Sequence, residues 1–331
     1  MEDLVAMAMG YDRLEGKRIL VTGATGFIGS HLVQRLVLEK AEVYALCRKD
    51  SNTWRIKDCL SRLEVVEGDI TDKEGLISIV RQVRPQKCFH LAAYGVNQPK
   101  PDLHQAIQTN VTGTVNLIQA LPGVELECLV NFGTSYEYGS INGAISENSA
   151  VNPNNSYSTS KSAAWLFCNL FYKSAGVPIV TVRLFPVYGP FEEFGKLIPT
   201  TIVKALQNEE LLLTSGEQER DYVFIDDVID GCLRAATIRE TVGQTINLGT
   251  GKAYSIKVIV TKCLALMGDP IKPVFGALPS RPNEVLSLYA DTRKAGEILG
   301  WSSKVDLEEG LKKTIEWYRN SRYLFDRRNV C

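Results

Sequence analysis

The stretch RILVTGATGFIGSHLVQR, residues 18–35, constrains the fold more than any other part of the chain. An apolar run of strand length leads directly into three glycines with the spacing GxxGxxG, and a helical pattern follows. Glycine there permits a tight turn, lets the backbone approach a pyrophosphate and allows close packing of helix on strand. The N–H groups that open the helix favour an anion. The stretch therefore predicts dinucleotide binding by Gly23, Gly26, Phe27, Ile28 and Gly29.

The rest of the first half repeats this alternation of short apolar runs with longer helical patterns. Strands are predicted at 18–22, 42–48, 63–69, 87–93, 127–133 and 178–185. Helices are predicted at 27–39, at about 72–83 and 103–121, and around Tyr157. Such alternation is typical of βαβ units and of a parallel sheet covered on both faces. With right-handed crossovers, it predicts a Rossmann-like, doubly wound α/β fold.

After about residue 186 the pattern changes to shorter strands and more turns. The strands read ELLLTS, DYVFI and QTINLGT, and a proline-bearing stretch with an arginine, FGALPSRPNE, follows them. We predict a dinucleotide-binding domain at 1–185, which includes the Tyr157 helix. A smaller C-terminal α/β substrate-binding lobe at 186–331 would close over the edge of the sheet.

Charge and cysteine usage exclude several classes of protein. The net charge of the 331 residues is −1, which gives no electrostatic basis for binding nucleic acid or an anionic membrane. None of the eight cysteines forms a CxxC pair, so free thiols in a reducing compartment are favoured over disulfides or zinc. Residues 1–17 do not resemble a secretory signal, and no apolar run has the length of a membrane span. We expect a cytoplasmic protein without a metal, since His31, His90 and His104 lack metal-ligand spacing.

Tyr157 and Lys161 stand four residues apart in YSTSK, at the start of a largely apolar helix. On a helix this spacing puts both side chains on one face, one turn apart. A cation beside a phenol favours the phenolate and lowers the pKa of the tyrosine. Such a tyrosine can transfer protons near neutral pH. The alternative is a surface helix that carries both residues by chance.

The residues after the second strand bear on the choice of cofactor. NAD-binding proteins usually carry an acid there that holds the ribose 2′-hydroxyl. This chain instead has Arg48 and Lys49, which suit a 2′-phosphate, so NADP(H) is favoured over NAD(H). Asp50 keeps NAD possible. After the third strand, Asp69 and Ile70 of the GDI motif would lie beside the adenine, unless this is a simple turn.

The order of motifs along the chain resembles a known family. GATGFIG, GDI, HLAA, NVTGT, GTSYEYG and YSTSK occur in sequence, followed by RLFPVYGP, RDYVFIDDV, INLGTG and ADTRKAGEILGW. Together they resemble the extended short-chain dehydrogenase/reductase family. The likeness is nearer to its branch of nucleotide-sugar epimerases, dehydratases and 4-ketoreductases, and it extends over nearly the whole chain.

The resemblance implies a set of functional residues. Tyr157 would exchange a proton with the reacting oxygen, while Lys161 would lower its pKa and hold the nicotinamide ribose. Thr134 would hydrogen-bond the substrate oxygen, and Asn110 would support the active-site helix and its proton path. The cofactor groove would be lined by Leu91, Ala92 and Ala93.

Three reactions of this branch compete. Dehydratases carry Thr-Asp-Glu or Thr-Ser-Glu, whereas this chain has Thr134, Ser135 and Tyr136. Glu137 comes one residue later and, if the strand continues, would face the other side of the sheet. Epimerases reuse bound NAD and would carry an acid in the place of Arg48. Our first prediction is therefore NADPH-dependent reduction of the C4 keto group of a nucleotide-diphosphate-linked 4-keto-6-deoxy sugar, a step in deoxysugar biosynthesis. An NAD-dependent nucleotide-sugar 4-epimerase is the alternative, and a 4,6-dehydratase comes third.

The predicted lobe contributes candidates for substrate binding beside Thr134, Ser135 and Tyr136. Pro186 stands where the family often has an asparagine that contacts the substrate diphosphate, and proline offers no donor. Arg281 and Arg220 are candidates for gripping that diphosphate, because guanidinium groups match phosphate oxygens. Both could instead be solvated surface residues. Leu197 would contribute to the nucleotide pocket.

Other interpretations concern assembly and function. The helix at 103–121 and the Tyr157 helix carry broad apolar stripes, and the family pairs such helices in a homodimer; the alternative is that they only cover the sheet. Asp226 and Asp227 are predicted to be a helix N-cap and a first-turn acid. A sensor or scaffold that binds NADP without turnover, or a reductase of non-nucleotide ketones, would be a different class of protein.

Overall fold

A computed structural model describes residues 14–96, 101–279 and 285–324. Its largest element is a seven-stranded sheet in which every strand pair is parallel. The strands are β1 (Arg18–Thr22), β2 (Glu42–Cys47), β3 (Glu64–Glu67), β4 (Lys87–His90), β5 (Cys128–Thr134), β6 (Ile179–Leu184) and β7 (Thr245–Leu248). Their spatial order is β3-β2-β1-β4-β5-β6-β7. The doubly wound α/β fold predicted from the sequence is confirmed.

The described helices vary from one turn to five turns in length. The α-helices are α1 (Phe27–Leu38), α2 (Lys73–Val83), α3 (Leu103–Ala106), α4 (Gly113–Ala120), α5 (Ser156–Ala175), α6 (Leu197–Gln207), α7 (Ile225–Thr237), α8 (Ile256–Leu266), α9 (Arg293–Leu299) and α10 (Leu307–Asn320). Short 3₁₀ helices cover Trp54–Arg62, Ser135–Tyr138, Arg239–Thr241 and Arg322–Leu324. A π-helical segment, Ile107–Thr112, joins α3 to α4. None of the helices within the described ranges is long and apolar enough to cross a lipid bilayer.

Both faces of the large sheet are buried, which explains why its strands are apolar throughout. Successive residues of β1 belong to two different hydrophobic clusters, one on each face of the sheet. Ile19 is in the cluster that contains Leu36 of α1, and Leu20 is in the cluster that contains Val80 of α2 and Leu117 of α4. All five of these side chains are fully buried. Burying one such side chain contributes about 1.5–3 kcal/mol. The alternating sequence therefore stabilises a sheet between two helical layers.

The strand order creates a switch point at the carboxyl edge of the sheet. From β1 the chain builds β2 and β3 on one side, then returns to place β4 on the other side of β1. Ligands of open α/β sheets bind in the crevice at such a point. Thr22, His90 and Thr134 end β1, β4 and β5, so their side chains lie along this edge.

The smaller lobe contains a four-stranded sheet and two strand pairs. The sheet has the order Tyr254–Ser255, Glu219–Arg220, Ser287–Ala290, Ala144–Ile145, and the pairs are Val187–Tyr188 with Val223–Phe224 and Leu211–Leu212 with Pro273–Val274. Two strands cross the predicted boundary at residue 185. Ala144–Ile145 belongs to the smaller sheet, whereas β7 joins the large sheet because its apolar residues complete that core. The sequence-based boundary is wrong for these two strands, and the roles of the two regions stay a proposal.

Candidate active site

The glycine loop between β1 and α1 packs closely against the backbone around it. Gly23 has φ +70°, and a Cβ atom there would lie 2.7 Å from the backbone nitrogen of Ala92. A Cβ atom at Gly29 would collide with the carbonyl oxygen of Gly23. Gly26 is the N-cap of α1 and has no side chain that could occupy the first N–H groups of the helix. A loop of this shape fits the phosphates of a dinucleotide, because it leads into the N-terminus of α1 and a helix N-terminus favours an anion.

The other predicted cofactor residues surround this loop. Phe27 and Ile28 open α1 and are half-buried, as are Leu91 and Ala92 after β4, while Ala93 is exposed. Leu91 donates a backbone hydrogen bond to the carbonyl oxygen of Thr22 at 3.1 Å, which joins the ends of β4 and β1. The loop and the predicted groove therefore lie side by side.

The predicted adenosine contacts lie beyond β2 and β3. Arg48 is exposed and its Nε lies 3.7 Å from a carboxylate oxygen of Asp50. Asp69 accepts hydrogen bonds from the backbone nitrogen and the hydroxyl of Thr71, each at 2.8 Å, so its side chain stabilises a turn. Ile70 is buried beside Gly113, where a Cβ atom would come within 2.6 Å of it. Asp69 thus fulfils the turn role that was the alternative to a cofactor contact, and the cofactor contact stays a prediction.

A chain of hydrogen bonds runs from Ala92, in the predicted cofactor groove, through His90 into the interior. Ala92 N–H donates to the Thr22 hydroxyl (3.2 Å), which lies 2.8 Å from Nδ1 of His90. Nε2 of His90 lies 2.9 Å from the Thr114 hydroxyl, which donates to the carbonyl oxygen of Asn110 at 2.7 Å. Because the Thr114 hydrogen is used there, the network assigns the ring proton to Nε2 of His90. Burial, assisted by the charge of Lys161, lowers the pKa of His90 to about 3, so the ring is neutral.

Asn110 lies in the π-helical segment and is fully buried. Its Oδ1 accepts from the backbone nitrogen of Tyr94 (2.7 Å), and its Nδ2 donates to Tyr94 O (3.0 Å) and to the Ser160 hydroxyl (2.8 Å). Ser160 in turn donates to the carbonyl oxygen of Tyr157 at 2.8 Å. π-Helical turns often occur at functional sites. The structure therefore brings Asn110 against the first turn of the predicted active-site helix.

The helix α5 presents Tyr157 and Lys161 in its first two turns. Its N-cap is Asn155, whose Oδ1 accepts from Ser158 N at 2.9 Å. Burial raises the pKa of Tyr157 above its ordinary value, and the charges of Glu137 and Tyr136 raise it further. Burial lowers the pKa of the Lys161 ammonium, which Glu137 opposes. The predicted lowering of the Tyr157 pKa is therefore wrong in direction, because spacing on a helix reveals the nearby cation but neither the burial nor the carboxylate.

The segment after Thr134 differs from the extended conformation on which the face of Glu137 was predicted. Residues Ser135–Tyr138 turn into a 3₁₀ helix, and Thr134 is its N-cap. Glu137 points back into the interior, where its Oε1 accepts from Thr134 N (2.8 Å) and its Oε2 from Nε of Arg183 (2.9 Å). Tyr136 is 39% exposed and Ser135 is buried. The Glu137 side chain thus points away from the position of Tyr136, as predicted, but the reason is a 3₁₀ turn and not the alternation of side chains along a strand.

The structure shows local contacts for Arg220, Pro186 and Leu197, three of the predicted substrate residues of the lobe. Arg220 is nearly buried, and its Nη1 donates to the carbonyl oxygens of Glu219 and Val285, both at 2.7 Å. Pro186 accepts a backbone hydrogen bond from Val223 at 2.9 Å, and Leu197 begins α6. Arg281 lies outside the described residues, so its predicted role stays an implication of the resemblance.

The adjacent acids Asp226 and Asp227 both lie at the start of α7. The N-cap of α7 is Phe224, and Asp226 and Asp227 both lie in the first turn, so the predicted N-cap role is wrong. Asp227 Oδ2 accepts from the backbone nitrogens of Lys304 (3.1 Å) and Val305 (3.0 Å). In the part of the chain that the structure describes, no group of three or more potential ligands is placed to bind a metal ion.

Sequence reasoning missed the Glu137–Arg183 pair and the bridging role of His90. Arg183 is an arginine inside the apolar strand sequence PIVTVRLF, and a charged residue in a buried strand signals a buried partner. His90 was considered as a possible metal ligand, although a polar side chain at the end of a buried strand can also connect two strands. A glycine loop, a Tyr–Lys pair and a buried polar network at one sheet edge define an oxidoreductase of the short-chain dehydrogenase/reductase type that uses a nicotinamide dinucleotide.

Comparisons with known proteins identify the family. A family model described as GDP-mannose 4,6 dehydratase matches residues 20–314. A UDP-glucose 4-epimerase of Mycolicibacterium smegmatis is 33% identical over 92% of this chain and 99% of that protein, and a dTDP-glucose 4,6-dehydratase of Neisseria meningitidis is 28% identical over 92% and 94%. The crystal structure of a UDP-glucuronic acid 4-epimerase from Bacillus cereus, in complex with UDP-glucuronic acid and NAD, has a TM-score of 0.82 at 30% identity and covers 91% and 99% of the two chains. The chain belongs to this family of extended short-chain dehydrogenases/reductases, the nucleotide-sugar epimerases and dehydratases.

Proposed function

We propose that this protein is an NAD-dependent 4-epimerase of a nucleotide-diphosphate sugar. The supporting observation is the arrangement of α5, Thr134 and the glycine loop at one edge of the sheet, combined with Glu137 turned away into the interior. The relative from M. smegmatis and the B. cereus structure, both 4-epimerases, agree with this choice. The 4-epimerase was the alternative prediction from the sequence, and we now place it first. The reason is that Asp50 provides an acid 3.7 Å from Arg48, so the arginine at position 48 does not argue against NAD.

The proposed chemistry divides between the cofactor and the protein. When bound, the nicotinamide supplies the hydride acceptor and donor, and its oxidised ring carries a positive charge that favours a phenolate. Tyr157 would take the proton from the sugar C4 hydroxyl and later return it, while the Thr134 hydroxyl would orient the same oxygen. Lys161, nearly buried, would hold the ribose, and Asn110 would fix the first turn of α5 through Ser160.

Dehydratase chemistry needs acid/base groups beside the threonine. Tyr136 stands at the position where the resemblance expects a carboxylate, and a phenol is a poor substitute at neutral pH. Glu137, the next residue, is bound to Thr134 N and Arg183 and has 0% exposure. Its carboxylate therefore cannot reach a substrate without breaking a buried ion pair, which disfavours elimination of water.

A 4-ketoreductase that uses NADPH is the second candidate, and it was our first prediction from the sequence. Arg48 and Lys49, both exposed after β2, favour it because together they provide two cations for a 2′-phosphate. Its substrate would be a nucleotide-linked 4-keto-6-deoxy sugar. In either case a nucleotide-diphosphate sugar is the proposed substrate, with Ser135, Tyr136, Pro186, Leu197, Arg220 and Arg281 as its proposed contacts.

We further propose a cytoplasmic homodimer. The seven described cysteines are all buried thiols, which suits a reducing compartment. Exposed apolar side chains cluster on the helices that the family pairs: Leu166 and Leu170 of α5 are 58% and 54% exposed, and Leu103 of α3 is 55% exposed. Exposed apolar side chains on these helices favour burial against a second copy.

The experiment that separates the candidates is identification of the cofactor retained by the purified protein. An epimerase should retain NAD and interconvert C4 epimers of a nucleotide sugar without added reductant. A reductase should consume NADPH in proportion to the 4-keto sugar reduced. Binding of either dinucleotide without turnover on any nucleotide sugar would contradict both proposals.

A further inference from the structure

A completely buried carboxylate lies directly below the candidate catalytic threonine. Glu137 Oε1 accepts the backbone N–H of Thr134 at 2.8 Å, and Oε2 accepts from Nε of Arg183 at 2.9 Å. Glycine at position 133 leaves room for it, since a Cβ atom there would lie 2.6 Å from Oε1. Two hydrogen bonds and a shaped space therefore hold this carboxylate in one position.

Arg183 connects the carboxylate to the active-site helix. Its guanidinium lies between two aromatic rings, 4.6 Å from the centroid of Tyr138 and 4.5 Å from that of Trp165. Trp165 lies on α5, two turns after Tyr157, and its indole N–H donates to the Thr245 hydroxyl at 2.9 Å. Burial would lower the pKa of Arg183, but Glu137 and Tyr138 raise it above its ordinary value. The arginine is thus a fixed cation that extends from β6 to the segment after β5 and to α5.

Several titratable groups surround the Tyr157–Lys161 pair. The charge of Glu137 raises the pKa of both residues, and Tyr136 also raises the pKa of Tyr157. Cys168 and His90 also interact with Lys161. The pKa of His90 is lowered by burial, and burial raises that of Cys168 to about 12, so both are neutral near pH 7. Among these groups Glu137 carries the carboxylate. Its negative charge favours the ammonium form of Lys161, which burial disfavours, and it disfavours the phenolate form of Tyr157.

Resting on the proposed function, we propose that Glu137 is a positioning residue: its fixed carboxylate holds Thr134 in place and, acting through Lys161 and Tyr157, sets the pH range in which the reaction runs. The charge of Glu137 keeps Lys161 in the ammonium form inside an otherwise desolvated site. The same charge keeps Tyr157 neutral until an oxidised cofactor and a substrate hydroxyl are present. Arg183 holds Glu137 in place through the 2.9 Å ion pair.

The test compares Glu137→Gln with the double variant Glu137→Gln/Arg183→Met. Glutamine can still accept from Thr134 N, so the single variant removes the charge and keeps that bond. The double variant removes both charges, so no unpaired cation is left buried, and it should fold even where the single variant does not. The matched control is Glu127→Gln, which removes a carboxylate paired with Lys17 and Lys87 at the opposite edge of the sheet.

The measurement is a ¹³C NMR titration of tyrosine-labelled protein with NAD⁺ bound, in which Tyr157→Phe identifies the Tyr157 signal. We expect Glu137→Gln to lower the pKa of Tyr157 by about one unit, and the double variant to lower it less. The pH profile of kcat should move in the same direction, while Glu127→Gln moves neither. Because this titration needs no substrate, it stands even when the proposed epimerase activity fails. A Tyr157 titration that is unchanged in both Glu137 variants would overturn the proposal and leave Glu137 a purely structural residue.

Discussion

Glu137 and Arg183 form an ion pair of 2.9 Å in which neither side chain exposes more than 1% of its surface. Desolvation of two charges is costly, and such a pair persists only when its geometry and its additional bonds compensate. Here the compensation comes from Thr134 N on one side and from the rings of Tyr138 and Trp165 on the other. The pair thus joins the end of β5 to β6 and to the active-site helix.

Arg183→Met is expected to reduce the free energy of unfolding by about 3–5 kcal/mol, because it leaves the Glu137 carboxylate buried without a partner charge. Combining it with Glu137→Gln should restore much of that loss, since no unpaired charge is left. Urea denaturation of the three proteins measures both effects. Equal destabilisation of the single and the double variants would mean that packing of the arginine, and not its charge, supplies the stability.

Tyr157→Phe should reduce kcat by about 10²–10⁴-fold, because the ring keeps its packing but cannot exchange a proton. Its dinucleotide dissociation constant, measured by calorimetry, should match that of the unaltered protein. Tyr172→Phe, near the other end of the same helix, is the control and should keep full activity. A fully active Tyr157→Phe variant would assign the proton transfer to another group.

His90 should make the fold sensitive to acid. Its pKa is about 3 in the folded protein and 6.5 when unburied, so its contribution is complete above pH 6.5 and is lost as pH falls towards 3. The total is of the order of 5 kcal/mol. In His90→Gln the free energy of unfolding should therefore decline less steeply between pH 7 and 4 than in the unaltered protein. His104→Gln, at an exposed position, should retain the original slope; identical slopes for all three proteins would contradict a neutral, buried His90.

The sequence predicted what depends on local pattern. The βαβ alternation gave strands within two or three residues of those observed. The glycine spacing identified the loop because the strand, the GxxGxxG turn and the helix follow one another directly in the sequence. Predictions failed where distant parts of the chain decide. The pKa of Tyr157 depends on burial and on Glu137. The strand β7 joins the large sheet by pairing with residues 64 positions earlier in the chain, such as Thr245 with Thr181.

Arg48→Asp should weaken NADP(H) binding about tenfold or more while NAD(H) binding is kept or improved. A carboxylate at this position can accept from a ribose 2′-hydroxyl, and it repels a 2′-phosphate. Titration of both dinucleotides by fluorescence or calorimetry provides the measurement. Arg62→Asp, at an exposed position after the same strand, controls for a general change of charge. Unaltered NADP(H) affinity would remove Arg48 from the cofactor site and with it the main argument for a reductase.

The exposed apolar face of α5 should be a subunit interface. Leu166 and Leu170 are four residues apart, so they lie on one face of the helix, and both are more than half exposed in a single chain. Leu166→Glu/Leu170→Glu would place two carboxylates in a buried contact, which costs several kcal/mol. We therefore expect the protein to be a dimer and this variant a monomer by light scattering at micromolar concentration. Leu38→Glu, which alters a 67% exposed leucine at the end of α1, should leave the dimer intact. Dimers that persist in the α5 variant, or a monomer without any substitution, would show that these leucines serve another purpose.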